Sequence, residues 1–270
     1  MSVALLGLPT DRNSSFRRGP ARAPAVIRRE LSSEAGNPYS ELGTNLKERG
    51  VFIDDGDLPL REDAGDFDRI VEGVRCRLER GDRVVSLGGD HFVTYPVVTA
   101  YAEFFEAPSV VHFDAHPDLY PIFDGNPLSH ACPFARILES AAIASLVQIG
   151  IRTMTPPQRE VAERFGVRVF APWELDAARA ALPGGNVYVT VDLDGLDPAF
   201  APGVSHREPG GLSVREVLEA IKAIPGRVVG ADVVELNPDQ DVASLTAGVA
   251  AKLVRELAAR IYVDGGGEPR

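Results

Sequence analysis

Val187-Tyr188-Val189-Thr190-Val191-Asp192-Leu193-Asp194 runs β-favouring residues straight into two aspartates. Apolar and β-branched side chains occupy consecutive positions without strict alternation, the pattern of a parallel strand covered on both faces. Runs of the same kind begin near Ser2, Val51, Arg83, Ser109, Leu146, Val167 and Val228. Between them lie stretches with helical spacing: Ala23 to Leu31, Phe67 to Glu79, Ala131 to Ser140, Pro156 to Arg164, Ser213 to Ala223 and Ser244 to Ile261. Ser213-Val214-Arg215-Glu216 has the form of a capping box, with serine and glutamate placed to satisfy each other's backbone N–H. Strand and helix alternate from end to end with no linker, repeat or low-complexity segment. This predicts one α/β domain over residues 1–270 with a mostly parallel sheet, and a frayed tail over 264–270.

In such sheets ligands bind beyond the carboxyl ends of the strands, and the polar residues cluster there. Ser86-Leu87-Gly88-Gly89-Asp90-His91 closes one strand and Asp114-Ala115-His116-Pro117-Asp118 the next. Asp192 and Asp194 close a third, and Val233-Val234-Glu235 the last. On an extended chain, a period of two sends Asp114, His116 and Asp118 the same way. Several carboxylates facing one point are costly unless a cation sits among them. Carboxylate and imidazole without thiolate suit Mn²⁺, Zn²⁺, Fe²⁺ or Ni²⁺ in a catalytic site. The six candidate ligands His91, Asp114, His116, Asp118, Asp192 and Asp194 exceed what one open metal takes, so two metals sharing carboxylates fit better. Such a pair can make water a nucleophile near neutral pH.

The other candidates read more plainly. His112, inside an apolar run, is expected to be a packed core residue, and His206 sits on a loop at the pocket or the surface. Asp90 and Asp197 are expected to organise loops, Gly88-Gly89 to let the backbone turn sharply, and Cys132 to be inert despite its nearness to His130. With neither GxGxxG nor a Lys-Ser/Thr pair after the glycines, nucleotide binding is a weak reading. The chain has 28 basic against 39 acidic side chains, a formal net charge of -11, which opposes nonspecific nucleic-acid binding and attachment to an anionic membrane. No apolar stretch approaches the roughly 18 residues that span a bilayer. Two cysteines are too few for a disulfide framework, and the N-terminus lacks a basic region followed by a long apolar run. A soluble, cytoplasmic chain is therefore expected.

Three motifs in order, Gly88-Gly89-Asp90-His91, Phe113-Asp114-Ala115-His116-Pro117-Asp118 and Val191-Asp192-Leu193-Asp194-Gly195-Leu196-Asp197-Pro198, resemble the signatures of the ureohydrolases, the arginase and agmatinase family. The resemblance runs almost end to end. Asn13-Ser14-Ser15-Phe16, Gly125-Asn126-Pro127-Leu128-Ser129-His130 and Gly230-Ala231-Asp232-Val233-Val234-Glu235 look most like plant-type arginases. It implies a three-layer α/β/α fold around an eight-stranded parallel sheet and two Mn²⁺ ions. One would be held by His91, Asp114, Asp118 and Asp192, the other by His116, Asp114, Asp192 and Asp194. His130 matches the family's proton-shuttling histidine, and Glu235 the acid that pairs with a guanidinium. Asp118 joins these two as a catalytic candidate, and Asn126 and His206 join them at the substrate.

The implied reaction releases urea from a small guanidino substrate, L-arginine first, with agmatine or another guanidino acid as alternative. Formimino-group hydrolysis or a metal-binding pseudoenzyme is more remote. A homo-oligomer, trimer or hexamer, is also implied. The sequence departs from the family's usual serine at Phe92, and from the animal-arginase pattern at Tyr120 and the Thr153 region, so the guanidinium end of the substrate is better specified than the far end.

Overall fold

The computed structural model describes residues 1–48 and 50–267. Eight strands, β1 (Val3–Gly7), β2 (Phe52–Asp57), β3 (Arg83–Leu87), β4 (Ser109–Phe113), β5 (Leu146–Ile149), β6 (Arg168–Phe170), β7 (Asn186–Asp192) and β8 (Arg227–Val234), form one sheet in the order β2-β1-β3-β8-β7-β4-β5-β6. Every ladder in it is parallel. All eight begin within a residue of the position expected from the sequence.

The helices are α1 (Ala23–Ser32), α2 (Asp66–Glu79), α3 (Thr94–Phe104), α4 (Pro133–Glu139), α5 (Pro156–Phe165), α6 (Leu175–Ala180), α7 (Val214–Ala223) and α8 (Leu245–Asp264). The capping box at Ser213 is present, with Glu216 N donating to Ser213 Oγ and Ser213 N donating to Glu216 Oε2. Two helices, α3 and α6, have no counterpart among the expected segments. The first reads Thr-Tyr-Pro-Val-Val-Thr-Ala-Tyr-Ala-Glu-Phe, a β-favouring composition overridden by burial of one side against the sheet.

Successive strand residues point to opposite faces, which divides the core in two. Val85, Leu87, Val111, Phe113, Val189, Val191, Ala231 and Val233 pack on the layer containing α1, α7 and α8. Val84, Val110, Leu146, Tyr188 and Val229 pack on the layer containing α2, α3 and α4. The result is a three-layer α/β/α fold. Of the tail expected from residue 264, Asp264 ends α8 instead, its Oδ2 accepting from Val228 N and Arg260 Nε. Residues 268–270 lie outside the described residues. Among the described residues no helix is long and apolar enough to cross a membrane.

The chain runs from β1 outward to β2, returns to β3, crosses to β4, β5 and β6, and then comes back to insert β7 and β8 in the middle. The four central strands β3, β8, β7 and β4 thus end side by side, at the switch in winding direction where α/β sheets open a crevice.

Candidate metal centre

Each central strand delivers its acid or imidazole at its carboxyl end or in the few residues after it. Asp192 is the last residue of β7, Asp194 lies in the 3-10 turn Leu193–Gly195, and His91 starts another such turn ahead of α3. β4 stops at Phe113, so Asp114, His116 and Asp118 are on a loop, not on an extended strand. They still converge, for a different reason: Asp118 takes a left-handed backbone (φ 48°) that folds its side chain back. Glu235 does the same at the end of β8 (φ 65°). Two non-glycine residues in this sparsely populated region, each costing on the order of 1 kcal/mol, stand at the same crevice, as strained residues do at functional sites.

The glycines act by closeness. The chain bends at Gly89 as expected, without positive φ at either glycine. A Cβ on Gly89 would lie 1.7 Å from Thr10 O, and one on Gly195 would lie 2.7 Å from Asp114 N. Side chains at these points would push the strand ends, and the ligands they carry, apart.

Three carboxylate oxygens surround one imidazole nitrogen. His91 Nδ1 is 3.2 Å from Asp114 Oδ2, 3.1 Å from Asp118 Oδ2 and 3.2 Å from Asp192 Oδ2. It is buried without a hydrogen-bond partner. The opposite nitrogen, Nε2, lies 3.0 Å from Thr190 Oγ1. When Thr190 Oγ1 accepts from His91 Nε2–H, the lone pair of Nδ1 faces the acids. Beside this group, His116 Nδ1 lies 3.2 Å from Asp194 Oδ2 and 3.5 Å from Asp114 Oδ1. Asp114, His116 and Asp194 have the spacing to hold an ion, and Asp114 faces both groups. A buried, unpartnered imidazole lone pair aimed at converging carboxylates fits divalent cations with oxygen and nitrogen ligands.

The acids resist losing their protons together. Burial, with the charges of Asp194 and Asp114, holds Asp192 well above the usual carboxylate range. Burial and Asp114 likewise push Asp194 up to about 7 and raise Asp118. Burial works against charge on His116, but Asp194 and Asp114 outweigh it and raise the imidazole to about 12. The set titrates as one unit, and without cations it holds protons that its members would release separately in water.

Directly beneath the ligands a polar row crosses five strands in register: Ser86, Asp232, Thr190, His112 and Gln148. All five are fully buried. His112 Nε2 lies 2.7 Å from Asp114 Oδ2. Gln148 Nε2 donates to Pro117 O at 2.7 Å and lies 3.0 Å from His112 Nδ1. Because the Pro117 carbonyl demands a donor, the amide nitrogen faces both partners, His112 Nδ1 accepts, and His112 Nε2–H donates to Asp114. Burial pushes His112 down to about 4, which keeps it neutral against the Asp114 charge. His112 is thus a core residue as expected, and also the group that orients the carboxylate facing both clusters. Thr190→Val keeps the shape but leaves His91 Nε2 without its acceptor. Metal affinity is expected to fall about 10–100-fold, read by titrating metal-free protein with Mn²⁺.

A cavity of about 260 Å³ opens above the acids, lined by Ser15, Tyr120, His130, Thr155, His206 and Glu235 among others. Glu235 Oε1 accepts from His91 N at 2.9 Å and lies 2.7 Å from His130 Nδ1. Burial opposes charge on His130, but Glu235, Asp90 and Asp118 raise it to about 9. His206 packs between Phe16 and His130, its ring tilted against each at a centroid distance of 5.5 Å. Asn126 is apart from this cavity. It lines the neighbouring cleft with Thr10, Arg12 and Phe92, where its Nδ2 donates to Asn13 Oδ1 at 3.1 Å. Asp90 and Asp197 do organise loops: Asp90 Oδ2 accepts from Asn13 N, and Asp197 accepts from Ala199, Gly210 and Gly211 N. Cys132 is buried, its thiol pushed up to about 12 by burial and by the Asp118 charge. Ser15, Thr190, Gln148 and Asp232 carried no assigned role in the sequence reading. A polar residue one or two places before the end of an apolar strand is the signal that could have found the last three.

A sequence model described as the arginase family matches residues 1–259. The chain belongs to the arginase family. The similarity extends over nearly the whole chain: "Arginase 1, mitochondrial" of Arabidopsis thaliana is 47% identical over 277 residues, covering 96% of this chain and 81% of that protein. The agmatinase of Bacillus anthracis is 36% identical over 94% of this chain and 90% of its own length. Among solved structures, the arginase from Medicago truncatula superposes with a TM-score of 0.91 at 42% identity, over 96% of this chain and 87% of that one. As an arginase-family member with plant arginases among its most similar relatives, the chain is a hydrolase of the ureohydrolase type. The expected cytoplasmic location is corrected by the same relatives. The plant arginases of Arabidopsis, rice and Medicago carry mitochondrial, and in one case chloroplastic, in their names. Cysteine count does not distinguish compartments within the cell.

Proposed function

We propose that the chain hydrolyses the guanidino group of L-arginine to give L-ornithine and urea, using two Mn²⁺ ions per subunit. The observation that carries this reading is the buried, unpartnered His91 Nδ1 with three carboxylate oxygens around it, beside a second His/Asp group that shares Asp114. His91, Asp114, Asp118 and Asp192 would hold one ion, and His116, Asp114, Asp192 and Asp194 the other. When bound, such a pair supplies the Lewis acidity that makes water a nucleophile at neutral pH. The protein's own groups do the rest. With Oε1 already engaged by His91 N and His130, Glu235 has Oε2 left to accept a guanidinium N–H and set the carbon over the acids. His130 passes a proton on to the departing amine, and His206 packs over it.

The greater identity to plant arginases than to the agmatinase favours L-arginine. One observation favours agmatine as the second reading: among the described lining residues there is no Lys or Arg to pair with an α-carboxylate, and the far end offers Tyr120, Thr153, Thr155 and Gln158. A side-by-side urea assay with arginine and agmatine after Mn²⁺ loading separates the two; urea from neither sinks both.

Glu235→Gln is expected to lower kcat/KM about a hundredfold while leaving metal content intact, because a charged acceptor for the guanidinium becomes a neutral amide. Steady-state kinetics with metal analysis checks it. We also propose that residues 1–270 act as a single ureohydrolase domain and assemble as a homo-trimer or homo-hexamer. That assembly rests on the family resemblance and is measured by light scattering.

A further inference from the structure

Both ring nitrogens of His130 are occupied. Nδ1 faces Glu235 Oε1 at 2.7 Å, and Nε2 is gripped twice by one residue, by Ser15 N–H at 3.1 Å and by Ser15 Oγ at 2.8 Å. His130 itself is 8% exposed, whereas Ser15 is exposed and lines the cavity. The Ser15 hydroxyl thus sits on Nε2 at the wall of the cavity that both residues line. The segment carrying it is anchored from three sides. Asp90 Oδ2 accepts from Asn13 N at 2.8 Å, Asn126 Nδ2 donates to Asn13 Oδ1 at 3.1 Å, and His130 N donates to Asn13 O at 3.0 Å. Histidine and serine are thus tied to each other through their own backbones, which fixes the hydroxyl before substrate arrives.

We propose that Ser15 Oγ is the proton relay between His130 and the leaving amine. This rests on the reading of the site as a guanidino hydrolase. In the neutral form of His130, which begins the cycle, Ser15 N–H donates to Nε2 and the ring proton is on Nδ1, shared with Glu235. The hydrolytic water gives its OH to the guanidinium carbon and its proton to Nε2. A protonated Nε2 opposes the Ser15 N–H and is driven to donate to Ser15 Oγ. As the C–N bond breaks and its electron pair stays on the amine nitrogen, Ser15 Oγ gives its own proton to that nitrogen and takes the one from Nε2. The net change is one proton moved from imidazolium to amine, with serine regenerated and no bond formed to it.

Ser15→Ala keeps the backbone N–H, and with it the loop and the His130 orientation, and removes only the hydroxyl. With Mn²⁺-loaded protein and arginine or agmatine, whichever the wild type cleaves, kcat is expected to fall about 10–100-fold. KM should stay within about threefold and metal content unchanged. Ser15→Thr, which restores a hydroxyl, should recover at least about a third of wild-type kcat; a purely structural role would not produce that split and rescue together. Wild-type kcat in Ser15→Ala, or equal loss in Ser15→Ala and Ser15→Thr, overturns the relay while leaving the guanidino-hydrolase reading standing. A wild-type protein that releases no urea from any guanidino compound overturns that reading, and the relay with it.

Discussion

Asp114→Asn is expected to lower urea release by at least about a thousandfold, equivalent to roughly 4 kcal/mol of transition-state stabilisation, and to reduce bound metal below one ion per chain. Asp114 is the residue both halves of the site share. Its Oδ2 lies 3.2 Å from His91 Nδ1, and its Oδ1 accepts from His116 N at 2.6 Å and lies 3.5 Å from His116 Nδ1. His112 already bonds Oδ2 from below. An asparagine has one oxygen, and its NH₂ must point either at His112 Nε2–H or at His116 N–H, a donor facing a donor. One orientation costs the histidine beneath the site its acceptor, and the other costs the backbone of the metal loop. Kinetics alone would not separate this from a folding defect. The checking measurement is therefore metal content per chain, with circular dichroism confirming an intact fold.

The second large effect concerns stability. In the metal-free protein, Asp192 and Asp118 are held above the ordinary carboxylate range and Asp194 is pushed up to about 7, while His130 and His116 are raised to about 9 and about 12. Every one of these groups keeps its proton in the folded state at a pH where the unfolded chain has released it. Their stabilising contribution is complete below the unfolded values and is lost as pH rises. For Asp194 the loss runs from about 4 to about 7, for Asp192 and Asp118 it likewise begins at about 4, and for the histidines it runs from about 6.5 upward. Asp114 and Glu235, held below their usual carboxylate values, run the other way, as do His112, pushed down to about 4, and His206. The metal-free protein is thus expected to melt at progressively lower temperature from pH 5 to pH 8. Divalent cations replace those protons, so the loaded protein should show little of that slope. The gap between the two should widen with pH, to on the order of 4 kcal/mol when metal exceeds its Kd a thousandfold. Thermal melts with chelator and with Mn²⁺ at three pH values test this. Parallel curves would mean that the acids are not where the metal binds.

The parts of this protein that were legible in its sequence are those encoded by short-range pattern. Consecutive apolar residues marked each buried parallel strand, and the acids after β3, β4, β7 and β8 marked the crevice, because strand ends in such sheets are where ligands bind. The reason given for convergence was nonetheless wrong in part. Asp114, His116 and Asp118 meet through a loop with a left-handed Asp118, and backbone conformation of that kind is not visible in residue spacing. Helix α3 was hidden because its β-branched and aromatic residues favour a strand until the sheet offers them a surface. The polar row Ser86, Asp232, Thr190, His112 and Gln148 was illegible for a third reason. Each member looks like an isolated polar residue in an apolar run, and only the register of five strands puts them side by side. Ser15 is the extreme case, 115 residues from the histidine it grips.

The central claim is that two cations, held at one crevice by six side chains, hydrolyse a guanidino group. Its most direct test is to strip the protein of metal and add Mn²⁺ stepwise while measuring urea released from L-arginine. The account predicts no urea without metal and activity that climbs until about two equivalents per chain are bound. Full activity in the presence of excess chelator, or saturation of the chain with two ions and still no urea from arginine or agmatine, would contradict it.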